Sequence, residues 1–306
     1  CKILINKTWN FFVNVTSYKR LFFVFIFIFF NSCSTMKIAY NFADVLVINW
    51  FESYFDFRES QRLDLEKKVE RFFEWHRKSE LPKVVVFLEE FKVRYKDGFD
   101  QDDINWVTPE SKLLWKRILS YAEDDIASFL LTVDESQILE VNEEFHEKED
   151  DSLIEQSKMS LEELRKDILD RTCKALDNWL GDLEPNQKKQ IATWIQPDSY
   201  WIAVKLRNRE KFQNDLIDLL KSKELLKEGI HSWISNPEFH WTEEFKATIF
   251  VKKQEWEKIT LGIDSITLPR QRKQVINKIN EFIDDFKDLA SIEEKYEKGV
   301  KLAPGE

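Results

Sequence analysis

Apolar residues recur at three- and four-residue steps along most of the chain after residue 37, and this spacing limits the fold more than any other property of the sequence. Such spacing places apolar side chains on one face of an α-helix. Only six glycines and seven prolines occur among 306 residues, so residues that interrupt helices are scarce. Strand-like alternation is nearly absent. The sequence predicts an all-α protein, a bundle of about ten helices.

The apolar spacing and the helix-breaking residues also predict where the helices begin and end. Leu81-Pro82 predicts the end of the second helix, because proline cannot continue a helix but fits the first turn of the next. Thr108-Pro109 predicts the start of a later one. The charged run from Glu143 to Asp151 is interpreted as either the solvated end of a helix or a joint between two lobes that meet near 143–160. The predicted helices cover 38–55, 58–78, 83–95, a segment opening at 108, 134–147, 160–180, 185–195, 199–220, 222–234, 242–259 and 269–298.

Several predicted helix starts share a pattern of residues. An apolar residue precedes the capping position, and Gln or Glu follows at the third helical position, as in residues 133–137 and 159–163. In such a capping box, two side chains satisfy backbone N–H groups that the first turn leaves unbonded. Looser versions end at Gln61 and Gln187, and one shorter by a residue ends at Gln271. We interpret these glutamines as caps and not as catalytic groups, and their uneven spacing argues against a solenoid.

Residues 1–32 are interpreted as an over-extended N-terminus that ends in a signal peptide. Lys19 and Arg20 precede an unbroken apolar run of ten residues, Leu21 to Phe30. A basic flank and an apolar segment of about 7–15 residues are typical of a secretory leader. A membrane-spanning helix needs about 20 apolar residues. The run therefore predicts export and not a permanent span.

The apolar run is followed by Asn31-Ser32-Cys33, which resembles the lipobox at which bacterial lipoproteins are cleaved and acylated. We predict that Cys33 is the lipidation site and that residues 33–306 form one all-helical lipoprotein domain. Two or three acyl chains hold a protein stably on a membrane. Ser34 stands where Asp often directs retention in the inner membrane, so the expected location is the periplasmic face of the outer membrane. The alternative is a secreted protein with a chance cysteine.

Charge and cysteine content narrow the class of partner. The formal net charge is −10, and no acidic residue precedes Cys33, so the mature part is more acidic still. Nucleic acid attracts basic faces, so no nucleic-acid partner is expected. The expected partners are the membrane, through the N-terminal lipid, and an envelope protein or the cell wall. Cys173 lies on an apolar helix face and is interpreted as a buried hydrophobic residue without a disulfide partner.

Familiar catalytic and metal-binding patterns are not found in the sequence. The histidines, His76, His146, His231 and His240, do not pair at the spacing of metal ligands. There is no glycine-rich phosphate loop and no Gly-x-Ser-x-Gly elbow. We therefore expect no metal and no cofactor, and we assign no catalytic residue.

Six residues remain as a candidate ligand-binding or structural polar cluster: Arg62, Trp75, His76, Asn208, Arg209 and Gln213. The first three form either a polar pocket in which His76 titrates near neutral pH, or a helix end where His76 meets the negative pole of the helix dipole. The last three share a helix, with Arg209 and Gln213 four residues apart on one face. They either grip an anionic or carbohydrate ligand or tie two helices together.

A set of short motifs is spread over nearly all of the mature part: Ala39-Tyr40-Asn41, Trp50, Tyr54, Asp56, Gln61-Arg62, Trp75-His76, Leu81-Pro82, Trp179-Leu180-Gly181, 183–187, Trp194, Asn208-Arg209 and Gln213. Through these residues the chain resembles an uncharacterised family of Gram-negative helical lipoproteins. The resemblance implies an all-helical lipoprotein and no particular activity. A weaker resemblance, to periplasmic stress chaperones with Leu-Thr-x-x-Gln repeats, covers a few residues at each helix start.

These features together predict a lipid-anchored periplasmic protein that acts as a scaffold in the cell envelope. We expect it to act by binding and not by catalysis. Two alternatives stay open. One is a chaperone-like protein that holds unfolded clients on exposed apolar surface. The other is an envelope-modifying hydrolase, which would need a pocket where His76 or paired carboxylates converge.

Overall fold

A computed structural model describes residues 33–147 and 151–297. Within those ranges every regular element is helical and no strand occurs, which confirms the all-α prediction. A π-helical turn covers His76–Glu80, and short 3₁₀ segments cover Lys223–Leu225 and Pro237–His240. The α-helices are α1 (Cys33–Asn41), α2 (Ala43–Glu52), α3 (Glu59–Trp75), α4 (Leu81–Tyr95), α5 (Gln101–Leu131), α6 (Glu135–Glu147), α7 (Asp151–Lys158), α8 (Leu161–Leu180), α9 (Pro185–Trp194), α10 (Ser199–Lys221), α11 (Leu226–Ser235), α12 (Glu243–Ile266) and α13 (Pro269–Glu297).

The predicted helix start at Thr108-Pro109 is wrong, because α5 begins at Gln101 and Pro109 lies inside it. The start is set by Asp100, whose carboxylate accepts the backbone N–H groups of Asp102 and Asp103. Asp103 in turn accepts the N–H of Asp100, which completes a capping box. At this interior position the proline removes one backbone hydrogen bond and crowds the carbonyl four residues earlier, and packing of the long helix outweighs that cost.

The predicted break at Leu81-Pro82 is also wrong, because the chain stays helical from residue 59 to residue 95. The N–H of Leu81 bonds the carbonyl oxygen of His76, five residues back, which is the wider hydrogen bonding of a π-helical turn. Pro82, which has no N–H to offer, follows directly and lies in the first turn of α4. The wide turn therefore joins α3 to α4 where sequence rules predict a stop.

Two main clusters of buried side chains form the interior. The first core is built from α1, α4, α8, α9 and α13. The second core is built from α3, α5, α6, α10 and α11 together with Tyr54 and Phe55, which follow α2. Phe73 of α3 packs against both cores, so the continuous rod of α3 and α4 links them.

Each core takes helices from both sides of the charged run at 143–151. Whether that run is a joint between two lobes stays a prediction. The expected signal peptide, residues 1–32, lies outside the described residues, and of Cys33 only its place at the start of α1 is described. In the described part of the chain, no helix combines the length and apolar content that crossing a membrane requires.

Candidate functional site

Trp75 and His76 lie where α3 passes into the π-helical turn, and both are held by ring packing. The Trp75 ring stacks on Tyr121 of α5 with the centroids 3.8 Å apart. His76 is 5% exposed, and its Nδ1 lies 2.7 Å from the hydroxyl oxygen of Tyr40 on α1. Burial lowers the pKa of His76 to about 4, although the Glu80 carboxylate opposes that shift. The side chain is therefore a neutral, packed imidazole at neutral pH, which does not support the alternative in which it titrates near neutrality. The other alternative, a helix end at His76, is wrong, because the chain stays helical to residue 95.

Glu80, at the end of the π-helical turn, is the most deeply buried carboxylate near His76. It is 1% exposed and accepts hydrogen bonds from Lys83 and from Nε of Arg117, the latter at 2.9 Å. Burial by itself would raise the pKa of this carboxyl, but the two cations outweigh it and hold the pKa below its usual range. The group is an ion-paired tie between α4 and α5, and sequence analysis missed it because Arg117 is 37 residues away.

Arg62 does not join His76. The two residues are 14 positions apart on one helical rod, roughly 20 Å along its axis. Arg62 pairs with Glu52 at 3.2 Å and with Glu66 at 3.1 Å, on the surface. The structure therefore separates the first predicted group into a packed aromatic part and a distant surface arginine.

The second predicted group, on α10, is mostly buried. Asn208 is 2% exposed, and its Oδ1 accepts the backbone N–H of Thr242 at 2.8 Å, which ties α10 to the start of α12. Arg209 is 8% exposed and close enough to Tyr54 to lower the pKa of that phenol, although burial, the larger effect, raises it to about 12. Gln213 is half-buried on the same helix. At this point α10 provides inter-helix contacts and no open anion-binding face.

An open cavity of about 430 Å³ lies beside the end of α2. Four carboxylates and one guanidinium dominate its polar lining, so its field disfavours anionic ligands. Arg62 is already paired with Glu52 there, and Glu140 accepts the backbone N–H of Asp56 at 3.2 Å. The lining residues are Glu52, Ser53, Tyr54, Phe55, Asp56, Phe57, Arg62, Glu140 and Glu144. In the described ranges, no group of three or more His, Cys, Asp or Glu side chains is placed to hold a metal ion.

The glutamines at the helix starts form a feature that sequence analysis recognised only in part. Gln61 and Gln137, which we call the first clamp, are almost fully buried at 4% and 3% exposure. Each side-chain oxygen accepts the N–H of its own capping residue, Arg58 at 3.0 Å and Asp134 at 3.2 Å. The two amides also bond each other reciprocally at 3.0 Å. The capping interpretation of these glutamines is confirmed, and the pairing between helices adds to it.

Gln187 and Gln271 form a second clamp with the same bonds. Their amides bond each other at 2.8 and 3.1 Å, and their oxygens accept the N–H groups of Glu184 and Leu268. The shortened pattern before Gln271 gives the same geometry because Leu268 itself takes the capping position.

In each clamp, the side-chain nitrogen of each glutamine also donates to a backbone carbonyl oxygen. That carbonyl belongs to the residue five positions before the other glutamine of the pair. The first clamp reaches Thr132 and Asp56, at 3.1 and 2.7 Å. The second reaches Ile266 and Asp182, at 2.7 and 3.1 Å. Both hydrogens of every amide are therefore used inside the protein.

The clamps are structural and leave no amide group for a ligand. Each one fixes two helix starts and the loop residues before them, across 76 residues in the first clamp and 84 in the second. In the sequence, the clamps are signalled only by the repeated apolar-x-x-x-Gln spacing. This spacing predicts which glutamines cap a helix but not which glutamines pair with each other.

Comparison with known proteins places the chain in one family. Residues 53–246 match a protein family of unknown function, DUF6279, a range that holds the first clamp and all six residues of the predicted polar cluster. No curated protein and no solved structure matches the chain. Since the match covers more than half of the sequence, the chain belongs to the DUF6279 family of unknown function.

Proposed function

We propose that this protein is a lipid-anchored scaffold of the cell envelope, held through Cys33 and acting by binding a partner at the periplasmic face of the outer membrane. The observation that carries the proposal is the absence of a spacer between the predicted lipid site and the folded body. Helix α1 begins at Cys33, and Met36, three residues later, is 4% exposed within the first core. An acyl group on Cys33 would hold the helical body directly against the bilayer.

The internal arrangement of the polar residues supports binding over chemistry. His76, the best candidate for a catalytic base, is packed between Tyr40 and Phe72 and does not line the open cavity. The amide groups of the four clamp glutamines already form their hydrogen bonds within the protein. These observations count against a hydrolase built on His76, one form of the enzyme alternative; the other form, built on paired carboxylates, stays a prediction.

The decisive experiment on anchoring is palmitate labelling of the protein in intact cells, followed by membrane fractionation. Cys33→Ser should abolish the label and release the protein from membranes, because the thiol that carries the diacylglycerol is gone. Cys173→Ser is the matched control and should keep full labelling, since Cys173 is half-buried against the first core. Labelling of the Cys33→Ser protein would overturn the anchoring proposal.

A chaperone-like role is the second candidate, and the exposed apolar side chains of α12 favour it. Phe250 is 64% exposed, Val251 50% and Trp256 43%. Exposed groups of this kind can hold apolar segments of an unfolded chain. If the role is correct, purified protein should suppress aggregation of an unfolded substrate, and lack of suppression at molar excess would remove this candidate.

A further inference from the structure

Helices α1 and α2 form a rod at the start of the folded body that is interrupted at one residue, Phe42. The N–H of Phe42 bonds the carbonyl oxygen of Ile38 at 3.2 Å, and the N–H of Leu46 bonds that of Phe42 at 3.0 Å. These two bonds bridge the junction, where the backbone of Phe42 itself leaves helical geometry at φ −106° and ψ 5°. The 9 residues of α1 and the 10 residues of α2 together rise about 28 Å.

One side of this rod is built into the protein. Met36 and Tyr40 are buried in the first core, and Val47 and Trp50 pack against the second core. Lys37 turns toward α13, where it pairs with Asp285 and Asp288. The buried face and the one basic side chain of α1 are thus directed at the protein body.

The opposite side of the rod is apolar and exposed. Ile38 is 55% exposed, Phe42 59%, Val45 48% and Leu46 44%. They recur at three- and four-residue steps, and the other exposed positions from 36 to 52, 41 and 49, are asparagines. We call these four side chains the apolar stripe. From residue 36 to residue 51 no ionisable residue lies on this face, and Glu52, which pairs with Arg62, ends it.

The stripe begins very near the predicted lipid site. Ile38 is five residues after Cys33, about 8 Å along a helix axis. The predicted cleavage before Cys33 removes the apolar run Leu21 to Phe30, so the Cys33 lipid and the stripe would be the neighbouring apolar groups at this end of the mature chain. A helix with one apolar face and no charge on that face is suited to lie in the plane of a membrane interface.

We propose that the apolar stripe lies on the surface of the bilayer that holds the Cys33 lipid, with α1 and α2 parallel to the membrane plane. The inference rests on the proposed anchoring, and it adds that the body has a fixed orientation and does not swing on its tether. The second core and the acidic cavity beside α2 then lie close to the headgroups. The stripe and the acyl chains act as two neighbouring contacts with the same lipid surface.

The test uses photocrosslinking in living cells with the full chain. p-Benzoylphenylalanine replaces Phe42 in one variant and Phe250 in a matched control, because both are strongly exposed phenylalanines, one at the junction of α1 and α2 and the other on α12. After irradiation, intact mass is measured on the purified protein. We expect a phospholipid adduct with residue 42 and none with residue 250.

The same mass spectrum separates the two proposals. Missing acylation at Cys33 would overturn the anchoring itself. Full acylation with no lipid adduct at residue 42, or with a crosslink from residue 42 to a second copy or to another protein, would leave the anchoring standing and overturn the membrane-facing stripe.

A second variant distinguishes a true contact from mere proximity to the tether. With the photoprobe at position 46, Phe42→Glu should reduce the lipid adduct several-fold, because a carboxylate at the interface lifts the stripe away from the hydrocarbon. Cys33 acylation should not change. An unchanged adduct at position 46 would mean that the tether alone brings the probe to lipid, and the proposal would fail.

Discussion

His76 illustrates how much a single side chain depends on what covers it. Two residues of α3, Trp75 and Phe72, and the hydroxyl of Tyr40 surround the imidazole. The resulting loss of water lowers its pKa to about 4, with Glu80 acting in the opposite direction and Arg77 in the same one. An exposed histidine at the same place in the sequence would titrate near neutral pH.

The lowered pKa predicts that acid destabilises the fold through His76. Between pH 6.5 and pH 4 the unfolded chain binds a proton that the folded chain does not, so the free energy of unfolding falls as pH falls. Between pH 7 and pH 5 the loss is about 2 kcal/mol, measurable by urea unfolding at both pH values. His76→Gln should reduce this pH dependence by that amount.

Tyr40→Phe serves as the control for this prediction. It removes the hydrogen bond to Nδ1 but keeps the ring, and burial is the largest cause of the shift, so most of the pH dependence should remain. Equal pH dependence in wild type and His76→Gln would show that His76 does not carry the effect.

At the scale of elements, the glutamine clamps decide how helix starts meet. Each clamp joins the starts of two helices, α3 with α6 and α9 with α13, and both use the same set of bonds. An N-terminal cap usually satisfies the first turn of its own helix only. Here the side-chain nitrogen of the glutamine, which the cap itself does not use, also donates to a backbone carbonyl in the loop before the neighbouring helix.

Truncation of a clamp residue is expected to cost more than loss of an ordinary cap. Gln137→Ala leaves the buried amide of Gln61 and the carbonyl of Asp56 without their partner, so the free energy of unfolding should fall by about 2 kcal/mol. Glu163→Ala is the control, because that capping box with Ser160 is exposed and water can replace the lost bond, so the free energy of unfolding should fall less than in Gln137→Ala. Urea denaturation measures both changes.

The double variant tests whether the clamp acts as a unit. Gln61→Ala combined with Gln137→Ala should cost less than the two single changes added together, because each single change already breaks the shared bonds. Strict additivity would contradict the clamp.

On the scale of the whole molecule, the two cores are interleaved along the chain. Helices α3, α5 and α6 share the second core with α10 and α11, while α1 and α4 share the first with α8, α9 and α13. Sequence neighbours are therefore divided between cores, and distant segments are joined in each.

Interleaving predicts the behaviour of a cut chain. A protease site inserted at 148–150 and cleaved after folding should leave two fragments that stay together in gel filtration without denaturant, because each core needs both. Fragments that separate under these conditions would show that the two parts fold as independent lobes meeting near 143–160.

The sequence by itself determined the all-α class and the capping boxes, because these depend on residues within a few positions of one another. It failed at Pro82 and Pro109, where packing of long helices outweighs a local signal. Only the tertiary structure decided that Gln61 bonds Gln137, that Glu80 bonds Arg117 and that His76 is shielded from water. Those contacts join residues tens of positions apart, and the loss of water around a polar group depends on everything that packs over it.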